Sequence, residues 1–177
     1  MSNAYKTYQP PQGEGGGLFL KLNDGDQVKI RIAEEPVVYI DKWGNTRYAW
    51  AVYNHETKTG QVFQQSVTGY RSIAALAQDE DWGDPSGYDI KVSREGSTQK
   101  NTRYHMSPVP NGKPLTEEQK AEVEKVDIKK AIPNGISLSE AAKGKEPEPP
   151  AEQEDNDESS IDMGEFKAED MPPGASI

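Results

Sequence analysis

The stretch Trp43–Asn54, WGNTRYAWAVYN, constrains the chain more than any other. Gly44-Asn45 is a turn signal, and the residues after it are aromatic or β-branched at a density that suits a strand. Successive side chains of a strand point to opposite faces. Tyr48, Trp50 and Val52 therefore share one face, and Arg47, Ala49, Ala51 and Tyr53 the other. One face must close a core. The rings on the other meet either more packing or solvent, and a sheet that shows rings and cations to solvent is a surface on which single-stranded nucleic acid stacks. The strand alone does not say which face is wet.

On either side the chain keeps the strand period and breaks it once. Residues 1–17 are polar and rich in Pro and Gly, and read as a flexible arm. After the turn Asn23-Asp24-Gly25-Asp26, the segment Gln27–Ala33 alternates, with Val28, Ile30 and Ile32 inward and Lys29 and Arg31 outward. Glu35-Pro36 bends this strand, and Val37–Ile40 continues it. His55–Gly60 is a hairpin loop, and Gln61–Val67 a third strand with Phe63 and Val67 on one face. At Ser72–Gln78 the period becomes helical, with Ile73, Leu76 and Ala77 together and Ser72 placed to cap. Asp79–Pro85 is an acidic turn whose Trp82 folds back over the helix end. Tyr88–Arg94 and Asn101–Val109 are the fourth and fifth strands.

Three strands, a short helix and two strands is the element order of a five-stranded OB-fold, a Greek-key barrel with its helix between strands three and four. The expected class is all-β with minor α, and residues 18–110 form the OB-fold domain. Beyond Pro110, Leu115–Val126 is helix-prone with Thr116 as its cap, and Ser137–Ala142 can hold a second short helix. Residues 111–144 are thus a helical extension, and 145–177 a low-complexity acidic tail expected to be disordered.

The net charge of −10 argues against a nucleic-acid binder until it is divided along the chain. Residues 145–177 carry eleven acids and two lysines, a net of −9, which leaves residues 1–144 at −1. A neutral body permits a local basic surface. The 177 residues contain no cysteine and two histidines, which excludes disulfides, thiolate metal sites and a histidine-rich zinc site. No run of about 18 apolar residues spells a membrane span, and the N-terminus has no apolar secretory core. Gly15-Gly16-Gly17 lacks the Lys-Ser or Lys-Thr of a phosphate loop. Asp24 and Asp26 read as a turn rather than a cation site. No reactive cluster points to an enzyme, and neither a cofactor nor a metal is expected.

The segments FLKLNDGDQVKIRI (Phe19–Ile32), YAWAVYN (Tyr48–Asn54), SIAALAQDEDWGD (Ser72–Asp84), YDIKVSREG (Tyr88–Gly96) and TRYHMSPVP (Thr102–Pro110), in this order, resemble the OB-fold single-stranded DNA-binding proteins of tailed bacteriophages. The resemblance implies a sequence-tolerant coat for single strands in DNA replication, recombination or repair, working in the host bacterial cytoplasm. Stacking candidates are Trp43, Tyr48, Trp50, Tyr53 and Tyr104, and phosphate candidates are Lys29, Arg31, Lys42, Arg47, Lys91, Arg94 and Arg103. Bacterial single-strand binders end in acids followed by a short apolar tip. This tail instead ends Pro-Pro-Gly-Ala-Ser-Ile and sets Ile161, Met163 and Phe166 among the acids, where they are candidates for docking replication or recombination proteins. The alternative is an OB-type adaptor that binds protein and no nucleic acid.

Overall fold

The computed structural model describes residues 17–151. Most of the N-terminal arm and of the acidic tail, including Ile161, Met163 and Phe166, lie outside the described residues. The alternating stretches form seven strands: β1 (Gln27–Ile32), β2 (Val37–Ile40), β3 (Thr46–Asn54), β4 (Thr59–Ser66), β5 (Asp89–Glu95), β6 (Arg103–Val109) and β7 (Ile136–Ser137). The helices are α1 (Val67–Gln78), α2 (Glu117–Glu124), α3 (Ile128–Ala131) and α4 (Leu138–Ala142), with a 3-10 turn at Pro85–Gly87. The class is therefore all-β with minor α, in one antiparallel sheet. Among the described residues no helix is long and apolar enough to cross a membrane.

β3 is the hub. Along one edge it pairs with β4 over its whole length, from Arg47↔Ser66 to Asn54↔Thr59. Along the other edge it pairs first with β2 (Val37↔Ala49) and then with β1 (Ile32↔Val52). Between those two pairs, residues 33–36 stand opposite only Trp50 and Ala51, so two extra residues bulge from the ladder. A bulge bends its strand and sharpens the local twist, and Pro36 suits that place because it donates no ladder hydrogen bond. β1 continues outward to β5 and β6, while β7 extends the sheet from β2 through Val37↔Ser137 and Val38↔Ile136. No ladder joins β4 to β6; α1 packs against both.

Both faces of β3 are buried. Trp50 and Val52 enter the main core with Val28, Ile30, Ile32, Phe63, Ile73, Ile90 and Val92. Ala49, Ala51 and Tyr53 enter two smaller clusters with Val123 and Ile132 of the C-terminal extension, against which Val126 and Ile128 also pack. The sequence leaves one face of this strand open to solvent as an alternative; the extension closes it. The apolar stripe of α2 is thin, and it docks through Val123 against Ala51 and Tyr53, with a close approach at Gly60. A Cβ on Gly60 would run into the Glu122 carbonyl and come within 2.8 Å of Val126 Cγ2. Thr116 caps α2 through a reciprocal pair with Gln119, as its sequence suggests.

The start of α1 differs from expectation. The helix begins at Val67, not Ser72, and Ser72 does not cap it but donates to the Thr68 carbonyl at 3.3 Å. Valine, threonine and glycine are poor helix formers, so packing decides here. Gly69 lies where any side chain would meet Gln65, and the Tyr70 ring lies on Tyr48 at 4.1 Å and 12°. Trp82 does fold back, against Tyr88 at 5.2 Å.

Candidate nucleic-acid interface

The β2–β3 hairpin presents the first group. Asp41 organises it: its Oδ1 accepts from the backbone N–H of Trp43 (3.0 Å) and of Asn45 (2.8 Å), and its Oδ2 from Arg47 Nε (2.9 Å). Gly44 takes φ 81°, a conformation that glycine adopts without strain. Burial pushes the Asp41 carboxyl up, but the Asn45 N–H, the Arg47 guanidinium and the Trp43 N–H outweigh it and hold the group below the usual carboxylate range. The hairpin tip carries Trp43, 71% exposed, with Lys42 Nζ 4.6 Å from its ring centre. Sequence reasoning missed Asp41, although Asp-x-x-Gly-Asn is a readable turn signature. Tyr48, next along β3, is half-buried and has one ring face taken by Tyr70.

The second group lies on the outer face of β1, β5 and β6. Register aligns Lys29, Lys91 and Ser107 in one row across three strands, and Gln27, Ser93 and His105 in the next. Adjacent members of a row stand about 4.8 Å apart in the hydrogen-bonding direction. Like charges directly opposite one another destabilise a ladder, so the Lys29↔Lys91 pair favours any anion that settles over it. Lys29 reaches Asp89 at 4.0 Å, whereas Lys91 and Arg103 are exposed and make no ion pair among the described residues. His105, which sequence reasoning left out of the site, is exposed beside Arg103 and bonds Glu95 at 3.3 Å. Tyr104, 36% exposed, is turned to the opposite face.

Four candidates go elsewhere. Trp50 and Tyr53 are 2% and 5% exposed, so neither ring offers a face to a base. Arg31 is 2% exposed; its Nε donates to Asp89 Oδ1 at 2.8 Å and its Nη2 to the Lys113 carbonyl at 2.9 Å. It lies on the outer face as its alternation requires, but the strap at Gly112–Lys113 crosses over it. Arg94 staples the segment before β1 to the β5–β6 hairpin, donating to the Leu22 carbonyl and to Thr102 Oγ1. These two arginines hold structure and are not free for phosphate.

The remaining candidates other than Tyr104 form two groups that the ladder sets apart. The β2–β3 hairpin lies where β3 starts, and the β5–β6 hairpin lies beside Gly25, near the end of β3. Nine residues of strand separate the two ends, about 30 Å. Among the described residues no cluster of three or more His, Asp or Glu side chains could hold a metal ion. No protein-family model matches the chain, and no curated protein does.

Proposed function

We propose that the chain binds single-stranded DNA without base specificity, as a coat during replication, recombination or repair in a phage-infected bacterial cell, and catalyses nothing. The observation that carries this reading is Trp43. A tryptophan 71% exposed on a hairpin tip, in a turn that Asp41 holds through the Trp43 and Asn45 N–H groups and Arg47 Nε, and flanked by Lys42, presents its ring to a flat partner. Stacking a base on such a ring contributes about 1–3 kcal/mol whatever the base, since every base has a π-face. The Lys29, Lys91 and Arg103 surface supplies phosphate contacts that release counterions.

An OB-type barrel underlies this reading. Counted with its bulge, β1–β2 is one bent strand that pairs with both β3 and β5; α1 falls between the β3–β4 and β5–β6 hairpins. That order, and a helix packed against β4 and β6, which no ladder joins, are OB-like. The extension covers the outer side of β3, which supports a reading in which the β2–β3 hairpin and the outer face of β1, β5 and β6 make the contacts.

The test is a titration of tryptophan fluorescence with an oligothymidylate. Trp50 is buried and Trp82 half-buried, so the quench belongs to Trp43. The expected outcome is saturable quenching that Trp43→Phe removes, with affinity for mixed-sequence DNA of the same length nearly equal. No quenching and no binding by the unaltered chain rejects the proposal in favour of a protein adaptor.

A further inference from the structure

The bulge at residues 33–36 sits between two cavities. One, of about 380 Å³, opens between the bulge and α1 and is walled by Pro36, Tyr70, Ala74, Ala77 and Leu138. The other, of about 600 Å³, opens under α2 and is walled by Ala51, Leu115, Val123 and Ile128. Ile32, Ala33, Glu34 and Ser86 line both, so the two adjoin at the bulge and make one candidate groove. Each volume lies within the range of formed binding clefts.

The groove is apolar within and acidic at its lip. Glu34, Glu35, Asp84 and Glu124 line it. Among the described residues its only cations are Arg31, held to Asp89, and Lys120, held to Glu117 at 3.0 Å. Phosphates are repelled here, and so is the chain's own tail of net charge −9. Glu34 and Glu35 also stand outside the ladder registers of β1 and β2. An occupant therefore needs apolar side chains to fill the two cavities and cations to meet the lip.

We propose that this groove docks an extended segment of a partner protein in which leucine-like side chains alternate with Lys or Arg. Segments of that kind seat alternate side chains in successive pockets. The site is distinct from both cation groups, so a partner can dock while the chain is on DNA, and docking stands or falls independently of DNA binding.

Three fluorescein-labelled octapeptides test the proposal on the full chain by anisotropy: alternating Leu-Lys, alternating Ser-Lys, and alternating Leu-Glu. The expected result is saturable binding of the Leu-Lys peptide at least tenfold tighter than either control, retained with saturating oligothymidylate present. The double variant Glu34→Lys/Asp84→Lys, altered at two exposed carboxylates, should weaken it at least tenfold. Ala77→Trp, which fills the smaller cavity from an exposed helix position, should do the same. Methyl resonances of Ala74, Ala77 and Leu138 should shift on titration. Equal binding of the Ser-Lys peptide means that the acidic tail alone attracts it and overturns the proposal. So does Leu-Lys binding that both folded variants leave unchanged.

Discussion

Asp41 shows how one carboxylate sets up a contact point. Three backbone and side-chain donors converge on it, and each favours the ionised form. Its depressed pKa means that the hairpin's extra stability is fully present above the unfolded carboxylate value, near about 3.9. That stability is lost only as pH falls through the lower folded value. The amide signals of Trp43 and Asn45 should therefore hold their dispersed positions down to pH 4 and collapse only below it, while Asp41→Asn should loosen the hairpin at every pH. Collapse between pH 6 and 5 contradicts this account. Lys91 makes a complementary point about electrostatics. It is exposed and unpaired among the described residues, so Lys91→Ala should leave thermal stability within about 0.5 kcal/mol. The slope of log affinity against log salt should fall by about 0.7, the value for one phosphate contact on a single strand. An unchanged slope removes Lys91 from the interface.

At the scale of elements, the β-branched and aromatic runs between turn signals suffice to find β1 to β6, although β6 buries none of its residues and β3 buries both faces. The N-terminal turn of α1 is not legible in the sequence: Val67-Thr68-Gly69 reads as strand and loop, and the contacts that hold it as helix, Tyr70 on Tyr48 and Gly69 against Gln65, are tertiary. β7 was not legible either, since two residues carry no period and their partner, β2, lies about a hundred residues away. The wet face of β3 was open for the same reason. Nothing local to Tyr53 announces that Val123 will cover it. Two of the rings that alternation offers for stacking, Trp50 and Tyr53, are accordingly core. Gly60 is the residue that lets the extension close. Gly60→Val should push α2 off the sheet and cost about 1–3 kcal/mol. Amide exchange should then rise through residues 117–126 and leave β5 and β6 protected. Exchange that stays slow in α2 shows that the contact is dispensable.

For the whole molecule the main question is what the charge asymmetry does. On the proposed reading the tail, at net −9, repels phosphates and, as a tethered polyanion, competes with DNA for Lys29, Lys91 and Arg103. A chain truncated after Gly144 should bind DNA as tightly as the full chain or more so, with the gain largest at low salt, where screening is weakest. Weaker binding by the truncated chain makes the tail part of the binding surface.

The bulge and the late arrival of its neighbours also bear on how the protein is made. Tyr53 and Ala51 emerge from the ribosome long before Val123 and Ile132, which lie 70 and 79 positions after Tyr53. At a synthesis rate of about 5–20 residues per second, the second face of the central strand waits roughly 4–16 s for its cover. During that interval a nascent chain with a finished hairpin sheet displays Ala49, Ala51, Tyr53 and Val62 as a bare apolar strip. Such a strip is a target for holdase chaperones and, in their absence, for its own copies. Slowing translation between residues 60 and 130 lengthens that exposure, and speeding it shortens the time in which neighbouring nascent chains on one message can stick together.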